Sequence, residues 1–427
     1  MLRLYSLVMG LVLPLALLRL LGRSLKAPAY RRRWRERLGF YPERPLASAI
    51  WIHAVSVGEV QAAQLLIKRL LARYPGQGIL VTTTTPTGSS RLRSLFAEQV
   101  RHVYMPYDLQ WVVRRFLRAV RPRLAVVMET EIWPNMLCLC AAQGIPVVLA
   151  NARLSERSAR GYARFGSFAR TTLRRFAAIA AQGPADAQRF LALGVEPAKI
   201  EVTGSLKFDL APPASLQEQA EAMRRAWGPE RPVWVAASTH EGEEGPVLEA
   251  HARVRERLPR TLLVLVPRHP ERFERVGALV ARRGLSLVRR SEAAVCDAAT
   301  AVFLGDTMGE LPVFLAAADA AFIGGSLVPV GGHNLLEAAA AGVPVVVGPH
   351  VFNFAEITAL LVQEGAALQV SDAEQLAQLM GGWLSDAAQR ARIGEHGRHV
   401  VAQNRGALDR LMALIENTFP PGAARAR

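Results

Sequence analysis

The chain has 427 residues, of which 51% are hydrophobic and 7% aromatic. This length corresponds to roughly two to three domains, and the apolar content supplies more than one core, which excludes a disordered chain. The 52 lysines and arginines outnumber the 36 acidic residues and give a net charge of +16. Such a charge favours a polyanionic partner: nucleic acid, anionic lipid or a phosphorylated substrate. The low aromatic content and the lack of a recognisable nucleic-acid-binding motif argue against nucleic acid.

The amino-terminal segment predicts a membrane anchor. Residues 4–18 carry no charge, and the densely basic sequence RLLGRSLKAPAYRRRWRER follows them. With a few neighbours the run approaches the ~20 residues that span a bilayer, and it lacks the cleavage site of a signal peptide. The basic flank places the rest of the chain in the cytoplasm. We expect an uncleaved anchor that either spans the membrane or lies in its interface; a buried first helix is the alternative.

Short apolar runs alternate with helical patterns through the rest of the chain, which is typical of βα units on parallel sheets. A polar stretch with two prolines follows residue 210 and separates two similar halves. The pattern predicts an α/β protein with two doubly wound, Rossmann-like domains and a cleft between them. The runs begin at Ile50, Ile79, Leu124, Ile145, Ala177 and Ile200 in the first half and at Pro232, Leu262, Leu285, Ala301, Ala320 and Val343 in the second.

The predicted division has five parts. Residues 1–25 form the anchor, 26–209 the first domain, 210–231 a linker, 232–404 the second domain and 405–427 a helix and tail.

Several familiar chemistries have no motif in this sequence. It has no GxGxxG after a strand and no GxxxxGK[ST], which disfavours a dehydrogenase and a P-loop phosphotransferase. Paired aspartates in a D-x-D motif are also missing, as are HExxH and CxxC, so no metal site is predicted. Backbone N–H groups and basic side chains must then neutralise any bound phosphate. The three cysteines, Cys138, Cys140 and Cys296, are expected to be reduced thiols.

The sequence GGHNLLE, from Gly331 to Glu337, lies between two predicted strands at the start of a helix. Its glycines, Gly332 among them, would let backbone N–H groups approach an anion. Asn334 and Glu337 are three residues apart and share one face, so they could bind a phosphate and a ribose. The same spacing also fits a capping box, in which the two side chains only complete the helix. The spacing alone leaves both interpretations open.

The sequence HAVSVGEV places Ser56, Gly58 and Glu59 after a predicted strand of the first half. Ser56 and Glu59 match S-x-x-E, so a capping box is again the alternative to a functional role. Glu59 and Glu337 would occupy corresponding places in the two halves, with Glu337 binding a nucleotide and Glu59 acting as a base on a hydroxyl. The helix amino terminus is expected to lower the pKa of Glu59 and weaken it as a base.

Two further clusters follow predicted strands. METEIWPN carries Glu129 and Glu131, which would point to one side of an extended chain. They could bind an acceptor or serve as a second acid or base, or else be solvated loop acids. LVPRHPERF carries Arg268 and His269, where the guanidinium could hold a phosphate or form a surface ion pair.

Nine motifs occur in a fixed order along the chain: HAVSVGEV, TTTTPTG, METEIWPN, NARLSERS, TGSLKFD, ASTHEGEE, LVPRHPERF, GDTMGEL and GGHNLLEAAAAGVPVVVGP. Together they resemble the 3-deoxy-D-manno-octulosonic acid (Kdo) transferases of Gram-negative bacteria. The resemblance covers nearly the whole chain and implies the two-domain GT-B fold. It also implies inverting, metal-independent transfer of Kdo from CMP-Kdo to the lipid A precursor lipid IVA, with no cofactor.

The resemblance casts Glu59 as the general base. Because lipid IVA is a bisphosphorylated glycolipid of the inner membrane, it also implies an enzyme on the cytoplasmic side of that membrane that binds anionic lipid and no nucleic acid. Together with the motifs, it gives an acceptor side of Ser56, Gly58, Glu129 and Glu131 and a donor set of Lys207, Arg268, His269, Met308, Gly309, Gly332, His333, Asn334 and Glu337.

Two other functions stay open on the sequence. One is a GT-B enzyme that uses a UDP-sugar, and the other is a basic module that binds anionic lipid at the membrane surface without catalysis.

Overall fold

The computed structural model describes residues 1–41, 50–209, 212–292 and 294–419, and the chain divides into two compact units. Unit 1 comprises Met1–Asp209 and Arg405–Arg427, and unit 2 comprises Leu210–Asn404. Residues 42–49 of the predicted first domain, 210–211 of the predicted linker and 420–427 of the predicted tail lie outside the described residues.

Each unit is built on a parallel sheet of seven strands, which confirms the prediction of two Rossmann-like domains. The strand order is β3-β2-β1-β4-β5-β6-β7 in unit 1 and β10-β11-β9-β8-β12-β13-β14 in unit 2. The strands of unit 1 are β1 Ile50–His53, β2 Ile79–Thr83, β3 Arg101–Tyr104, β4 Leu124–Met128, β5 Val147–Ala152, β6 Ala178–Ala181 and β7 Ile200–Val202. Those of unit 2 are β8 Val233–Thr239, β9 Leu262–Pro267, β10 Leu287–Arg289, β11 Val302–Leu304, β12 Ala320–Ile323, β13 Val345–Val347 and β14 Ala367–Gln369.

Helices connect the strands and cover the sheets. In the first part of the chain they are α1 Leu2–Lys26, α2 Val57–Arg73, α3 Pro86–Phe96, α4 Gln110–Val120, α5 Pro134–Ala142, α6 Glu156–Ala163, α7 Gly166–Leu173 and α8 Pro184–Ala192. They continue with α9 Leu216–Trp227, α10 Glu244–Arg257, α11 Phe273–Arg282, α12 Leu311–Ala316, α13 Leu336–Ala341, α14 Ala355–Gln363, α15 Ala373–Ser385, α16 Ala387–Asn404 and α17 Ala407–Thr418.

The central strands are apolar throughout because both faces of each sheet are buried. In β1, Ile52 belongs to the core on one face, whereas Trp51 packs edge-on against Phe116 of α4 in the core on the other. The last helix, α17, returns to unit 1 and buries Leu411 and Ile415 in the same core as Ile52. All twelve apolar runs predicted from the sequence form strands.

Two strands were not predicted, β3 and β14, and both lie at an edge of their sheet. An edge strand has one neighbour and needs less apolar surface: β3 begins with an exposed arginine, and Leu368 in β14 is exposed. The stretch predicted as a linker contains α9, whose Trp227 is buried against Phe303 and Phe314 of unit 2.

The strand order reverses direction between β1 and β4 in unit 1 and between β8 and β12 in unit 2. At such a point the connections leave to opposite faces of the sheet, and a crevice opens at the carboxyl ends of the strands. Ligands of open α/β sheets bind there, so these two edges are where functional side chains are expected.

Candidate active site

Glu59 lies in the first turn of α2, just beyond the carboxyl end of β1. Ser56 is the N-cap, and its Oγ accepts a hydrogen bond of 3.4 Å from the Glu59 backbone N–H. The Glu59 carboxylate accepts a 2.8 Å bond from the Val55 N–H and a 3.2 Å bond from the Ser56 hydroxyl. The predicted capping arrangement therefore forms, and it fixes the carboxylate at the switch point of the sheet. Gly58 lies exposed in the same helical turn.

The pKa of Glu59 is raised from its usual 4.5 to about 7. Burial is the largest cause, because it disfavours the charged form. The bonds from Val55 and Ser56 lower the pKa, whereas the negative charges of Glu129 and Glu131 raise it. The expectation that the helix amino terminus would lower this pKa is wrong, because burial and two neighbouring carboxylates outweigh it. A pKa close to neutrality suits a general base.

Glu129 follows β4, on the other side of the switch point from Glu59. Its backbone is left-handed, with φ of 58°, and its N–H donates to the Ala150 carbonyl at 2.9 Å. The prediction that Glu129 and Glu131 share one side of an extended chain is therefore wrong. Burial raises the pKa of Glu129, and the positive charges of Lys207 and Arg153 lower it.

Glu131 is half-buried and accepts a 3.0 Å hydrogen bond from the Trp133 indole N–H. Burial raises its pKa, and the charge of Glu129 raises it further. The two acids of METEIWPN are thus half-buried and coupled to Glu59 electrostatically, which does not fit the description of solvated loop acids.

His53, at the end of β1, is a site residue that the sequence reasoning missed. It is fully buried, and its Nδ1 lies 2.8 Å from the Thr82 Oγ1. Its Nε2 has no hydrogen-bond partner among the described residues and lies 4.0 Å from the Glu131 carboxylate. Burial lowers the pKa of His53 to about 4, so the ring is neutral at neutral pH. A lone histidine at the end of an apolar strand was the available signal.

Lys207 lies in unit 1, in the short 3-10 turn Leu206–Phe208. It was predicted with the donor set, but its positive charge acts on the Glu129 carboxylate and lowers its pKa. Within unit 1, Lys207 is therefore a neighbour of the acceptor-side acids.

In unit 2, three histidines meet beyond the carboxyl ends of adjacent strands. His240 follows β8, His269 follows β9 and His333 follows β12. The rings of His240 and His333 stack with their Nε2 atoms 2.7 Å apart, and the His269 ring lies edge-on to His240 with centroids 5.3 Å apart. The pKa of His333 is lowered to about 4, chiefly by burial and in part by its neighbours His240 and Arg268. His240 was not predicted, although its motif STHEGEE follows an apolar strand.

Arg268 is half-buried beside this histidine cluster, and its backbone N–H donates to the Thr239 carbonyl at 3.0 Å. Met308 and Gly309 lie in the turn after β11, where both are exposed. The structure thus places most of the predicted donor residues at the carboxyl edge of the second sheet, at the ends of β9, β11 and β12.

The glycines of GGHNLLE serve the loop itself. Gly331 and Gly332 have φ of 108° and 77°, a region that favours glycine. Their N–H groups donate to the Gly325 carbonyl at 3.0 and 2.7 Å, so both amides are already engaged within the loop. Asn334 Oδ1 accepts from the Leu336 N–H at 3.2 Å, and its amide donates to the Glu337 carboxylate at 3.0 Å.

The N-cap of α13 is Leu335, and Asn334 before it accepts from the first helical N–H, that of Leu336, so the capping box does not form. Glu337 instead bonds to the Asn334 side chain. Burial raises the pKa of Glu337. The prediction that Glu337 occupies the place of Glu59 in the other half is wrong, because Glu337 follows β12, which corresponds to β4 in the strand order. The true counterpart of Glu59 is Glu243, which follows β8 and was missed.

The Glu243 carboxylate is fully buried and accepts four backbone hydrogen bonds of 2.7 to 3.0 Å, from His240, Gly325, Ser326 and Leu327. It ties the turn after β8 to the loop after β12. Its role is to hold the two loops that carry His240 and His333 in their positions.

Comparison with known proteins gives matches over both units. The model of a family described as 3-deoxy-D-manno-octulosonic-acid transferase (kdotransferase) matches residues 32–210. A second model, for glycosyl transferases group 1, matches residues 247–400. The chain is similar to the 3-deoxy-D-manno-octulosonic acid transferases of Haemophilus influenzae, with 43% identity over 92% of this chain and 93% of the relative, and of Bordetella pertussis, with 40% identity over 89% and 90%.

Among solved structures, the UDP-GlcNAc 2-epimerase of Neisseria meningitidis bound to UDP-GlcNAc has a TM-score of 0.58 and 15% identity. The match covers 87% of this chain and 100% of that one, and at this identity it concerns the fold alone.

Two Rossmann-like domains with polar side chains at both switch points, matched by glycosyltransferase families, define a glycosyltransferase with a GT-B fold. The chain belongs to the 3-deoxy-D-manno-octulosonic acid transferase family. Its activity is Kdo transfer in lipopolysaccharide synthesis.

Proposed function

We propose that the chain transfers Kdo from CMP-Kdo to lipid IVA with inversion at the anomeric carbon, without a metal ion or other cofactor, and with Glu59 as the general base. The observation that carries the proposal is the half-buried Glu59 carboxylate, which lies at the switch point with a pKa of about 7. At that pKa a large share of Glu59 is ionised at neutral pH, and the group still binds a proton firmly.

The reaction has one displacement step. A hydroxyl oxygen of the lipid IVA sugar attacks the anomeric carbon of Kdo, while the bond from that carbon to the CMP phosphate oxygen breaks. CMP leaves with the electron pair, and the hydroxyl proton passes to Glu59. Attack opposite to the leaving group inverts the configuration.

The acceptor side consists of residues around Glu59. Ser56 and Gly58 form the helical turn that presents the base, and Glu129 and Glu131 line its surroundings. Their negative charges keep the pKa of Glu59 raised, so they support proton uptake even without touching the sugar.

For the donor, Arg268 is the group that pairs with the phosphate of CMP, because a guanidinium binds phosphate oxygens in two parallel hydrogen bonds. Asn334 and Glu337 offer an amide and a carboxylate to the ribose and base. The positive charge of Arg268 would also offset the negative charge that develops on the departing phosphate. The remaining donor residues of the proposal are His269, Met308, Gly309, Gly332 and His333.

The location that fits this acceptor is the cytoplasmic side of the inner membrane. Helix α1 is long and apolar enough to cross a membrane by length and composition, with a mean hydropathy of 2.1 over an 18-residue window. The net charge of +16 supports binding to anionic lipid and to a phosphorylated glycolipid.

The test is the mass of the product after incubation of detergent-purified protein with lipid IVA and CMP-Kdo in the presence of EDTA. The Glu59→Gln variant and, as a matched control, Glu98→Gln at an exposed glutamate run beside the wild type. We expect a gain of one or more Kdo units with the wild type and Glu98→Gln, and none with Glu59→Gln.

Other outcomes contradict separate parts of the proposal. Equal transfer by Glu59→Gln excludes Glu59 as the base. Transfer that EDTA abolishes and a divalent metal restores excludes the metal-independent reaction. A folded wild type that CMP stabilises but that adds no mass to lipid IVA has a different acceptor.

A further inference from the structure

Helix α1 has two different faces along its whole length. On one face Tyr5, Met9, Leu13, Ala16 and Leu20 recur every three or four residues and are half-buried. The opposite face is apolar and open to solvent: six leucines there are 57–74% exposed, namely Leu4, Leu7, Leu11, Leu15, Leu18 and Leu25. An exposed apolar stripe of this length on a folded protein marks a surface that is covered by something else.

The first turns of α1 are bonded to the body of unit 1. The Tyr5 hydroxyl donates to the Asp108 carboxylate at 2.9 Å, and the Ser6 Oγ lies 2.8 Å from the Asn135 Oδ1. Asp108 and Asn135 are fully buried, and Asp108 also accepts from the Asn135 N–H at 2.9 Å. The Tyr5 ring packs against Phe168 with centroids 6.0 Å apart.

The segment that leaves the other end of α1 is bonded to the same unit. Ser24 is buried and accepts a 2.9 Å bond from the Arg31 guanidinium in the turn that follows the helix. A few residues later, the Glu36 carboxylate accepts from the Tyr104 N–H of β3 at 2.9 Å. The first turns of the helix and the chain segment that follows its last turn are therefore both bonded to unit 1.

From this arrangement we infer that α1 does not cross the membrane but lies in its plane. The leucine face enters the headgroup and acyl boundary of an anionic leaflet, and the Tyr5 face packs against unit 1. A helix of 25 residues is ~37 Å long. If it spanned a hydrocarbon core of ~30 Å, its two ends would lie on opposite sides of the membrane, and Tyr5 could not reach Asp108.

The charges beside the leucine face fit the same orientation. Arg3, Arg19 and Arg23 are exposed, and by the 100° step of a helix they lie away from the centre of that face. Basic residues that border an apolar helical face bind anionic headgroups while the apolar residues enter the headgroup and acyl boundary, about 5–10 Å deep. The inference rests on the proposed membrane association and specifies its geometry.

Depth measurements at positions along one face distinguish the two orientations. Leu4→Cys, Leu11→Cys and Leu18→Cys lie on the leucine face at intervals of seven residues. Each is introduced into the full chain with its native cysteines replaced, labelled with an environment-sensitive fluorophore, and bound to vesicles of phosphatidylethanolamine and phosphatidylglycerol. Lipids with quenchers at different acyl depths report the position of the label. Leu13→Cys, on the half-buried face, is the matched control.

An in-plane helix gives the same shallow depth at all three leucine positions and weaker quenching at position 13. A spanning helix gives the deepest label at position 11 and equal quenching at position 13; that result overturns the inference but leaves membrane association intact. If no position is quenched by lipid and the leucine faces of two chains cross-link, a second copy of the chain covers the stripe. That result overturns both the membrane association and the in-plane orientation. Kdo transfer in detergent, measured on the same variants, tests the catalytic proposal separately.

Discussion

Replacing Glu59 with glutamine is expected to stabilise unit 1 at neutral and alkaline pH. In the folded protein the pKa of Glu59 is raised from 4.5 to about 7. Between these two values the unfolded chain has released this proton and the folded chain still holds it, so the free energy of unfolding decreases as the pH rises. Glutamine has nearly the same shape and is neutral at every pH. It can still accept from the Val55 N–H and donate to the Ser56 Oγ.

The magnitude follows from the interval between the two pKa values. At 1.36 kcal/mol for each pH unit, the ionised Glu59 costs about 3 kcal/mol of folding free energy at pH 8 and about 1 kcal/mol at pH 5. Glu59→Gln should therefore gain about 2 kcal/mol more stability at pH 8 than at pH 5. Any constant effect of the substitution cancels in this difference.

Hydrogen exchange followed by mass spectrometry measures the two units separately in the intact chain. Protection of amides in β1 and β4, corrected for the intrinsic rate at each pH, should rise roughly 30-fold more at pH 8 than at pH 5 when the variant is compared with the wild type. Peptides from β8 in unit 2 are the internal control. An equal gain in unit 1 at both pH values would show that Glu59 ionises at its ordinary pKa and would refute the reasoning.

Three further predictions concern activity and unit 2. The value of kcat/KM should fall about tenfold for each pH unit below pH 7, because transfer needs the ionised Glu59. Glu131→Gln removes a charge that raises the pKa of Glu59, so the pH profile of this variant should move to lower pH. An unmoved profile contradicts the coupling between the two carboxylates. Glu243→Gln should lower the free energy of unfolding of unit 2 by about 3 kcal/mol, since four backbone donors lose a carboxylate. Unchanged protection of the β8 and β12 amides would exclude a role of Glu243 in holding the two loops. Arg268→Met should weaken CMP binding roughly 10- to 100-fold in a calorimetric titration, and a similar loss in Arg275→Met, at an exposed surface ion pair, would show that the effect is not specific.

The sequence was sufficient to predict the elements that bury most apolar surface. Runs such as ILVTT at Ile79 and LLVLVP at Leu262 are apolar because both faces of a parallel strand are covered, so they could be recognised without any partner. The edge strands β3, RHVY, and β14, ALQ, could not, because polar residues leave them without a distinctive apolar run, whereas the edge strands β7 and β10 follow from the runs at Ile200 and Leu285.

The site was only partly predictable for a related reason. The turn after each strand could be located, which brought Glu59, Glu129, Arg268 and Asn334 to the carboxyl edges of their sheets. The backbone of Glu129 is left-handed where its N–H bonds to the next strand at Ala150, and the pKa of Glu59 is raised by burial and by Glu129 and Glu131 in a distant segment of the chain. No local pattern contains that information.

Glu59 and Glu243 show how surroundings determine the role of a carboxylate. Both follow the first strand of their unit and both accept a backbone N–H from the turn before the helix. A carboxylate offers about four lone-pair sites, and four backbone donors occupy all of those of Glu243. Among the described residues, Val55 and Ser56 supply the only two hydrogen bonds to Glu59. Glu59 therefore keeps the capacity to accept a proton from a substrate, whereas Glu243 at the equivalent place is committed to the backbone.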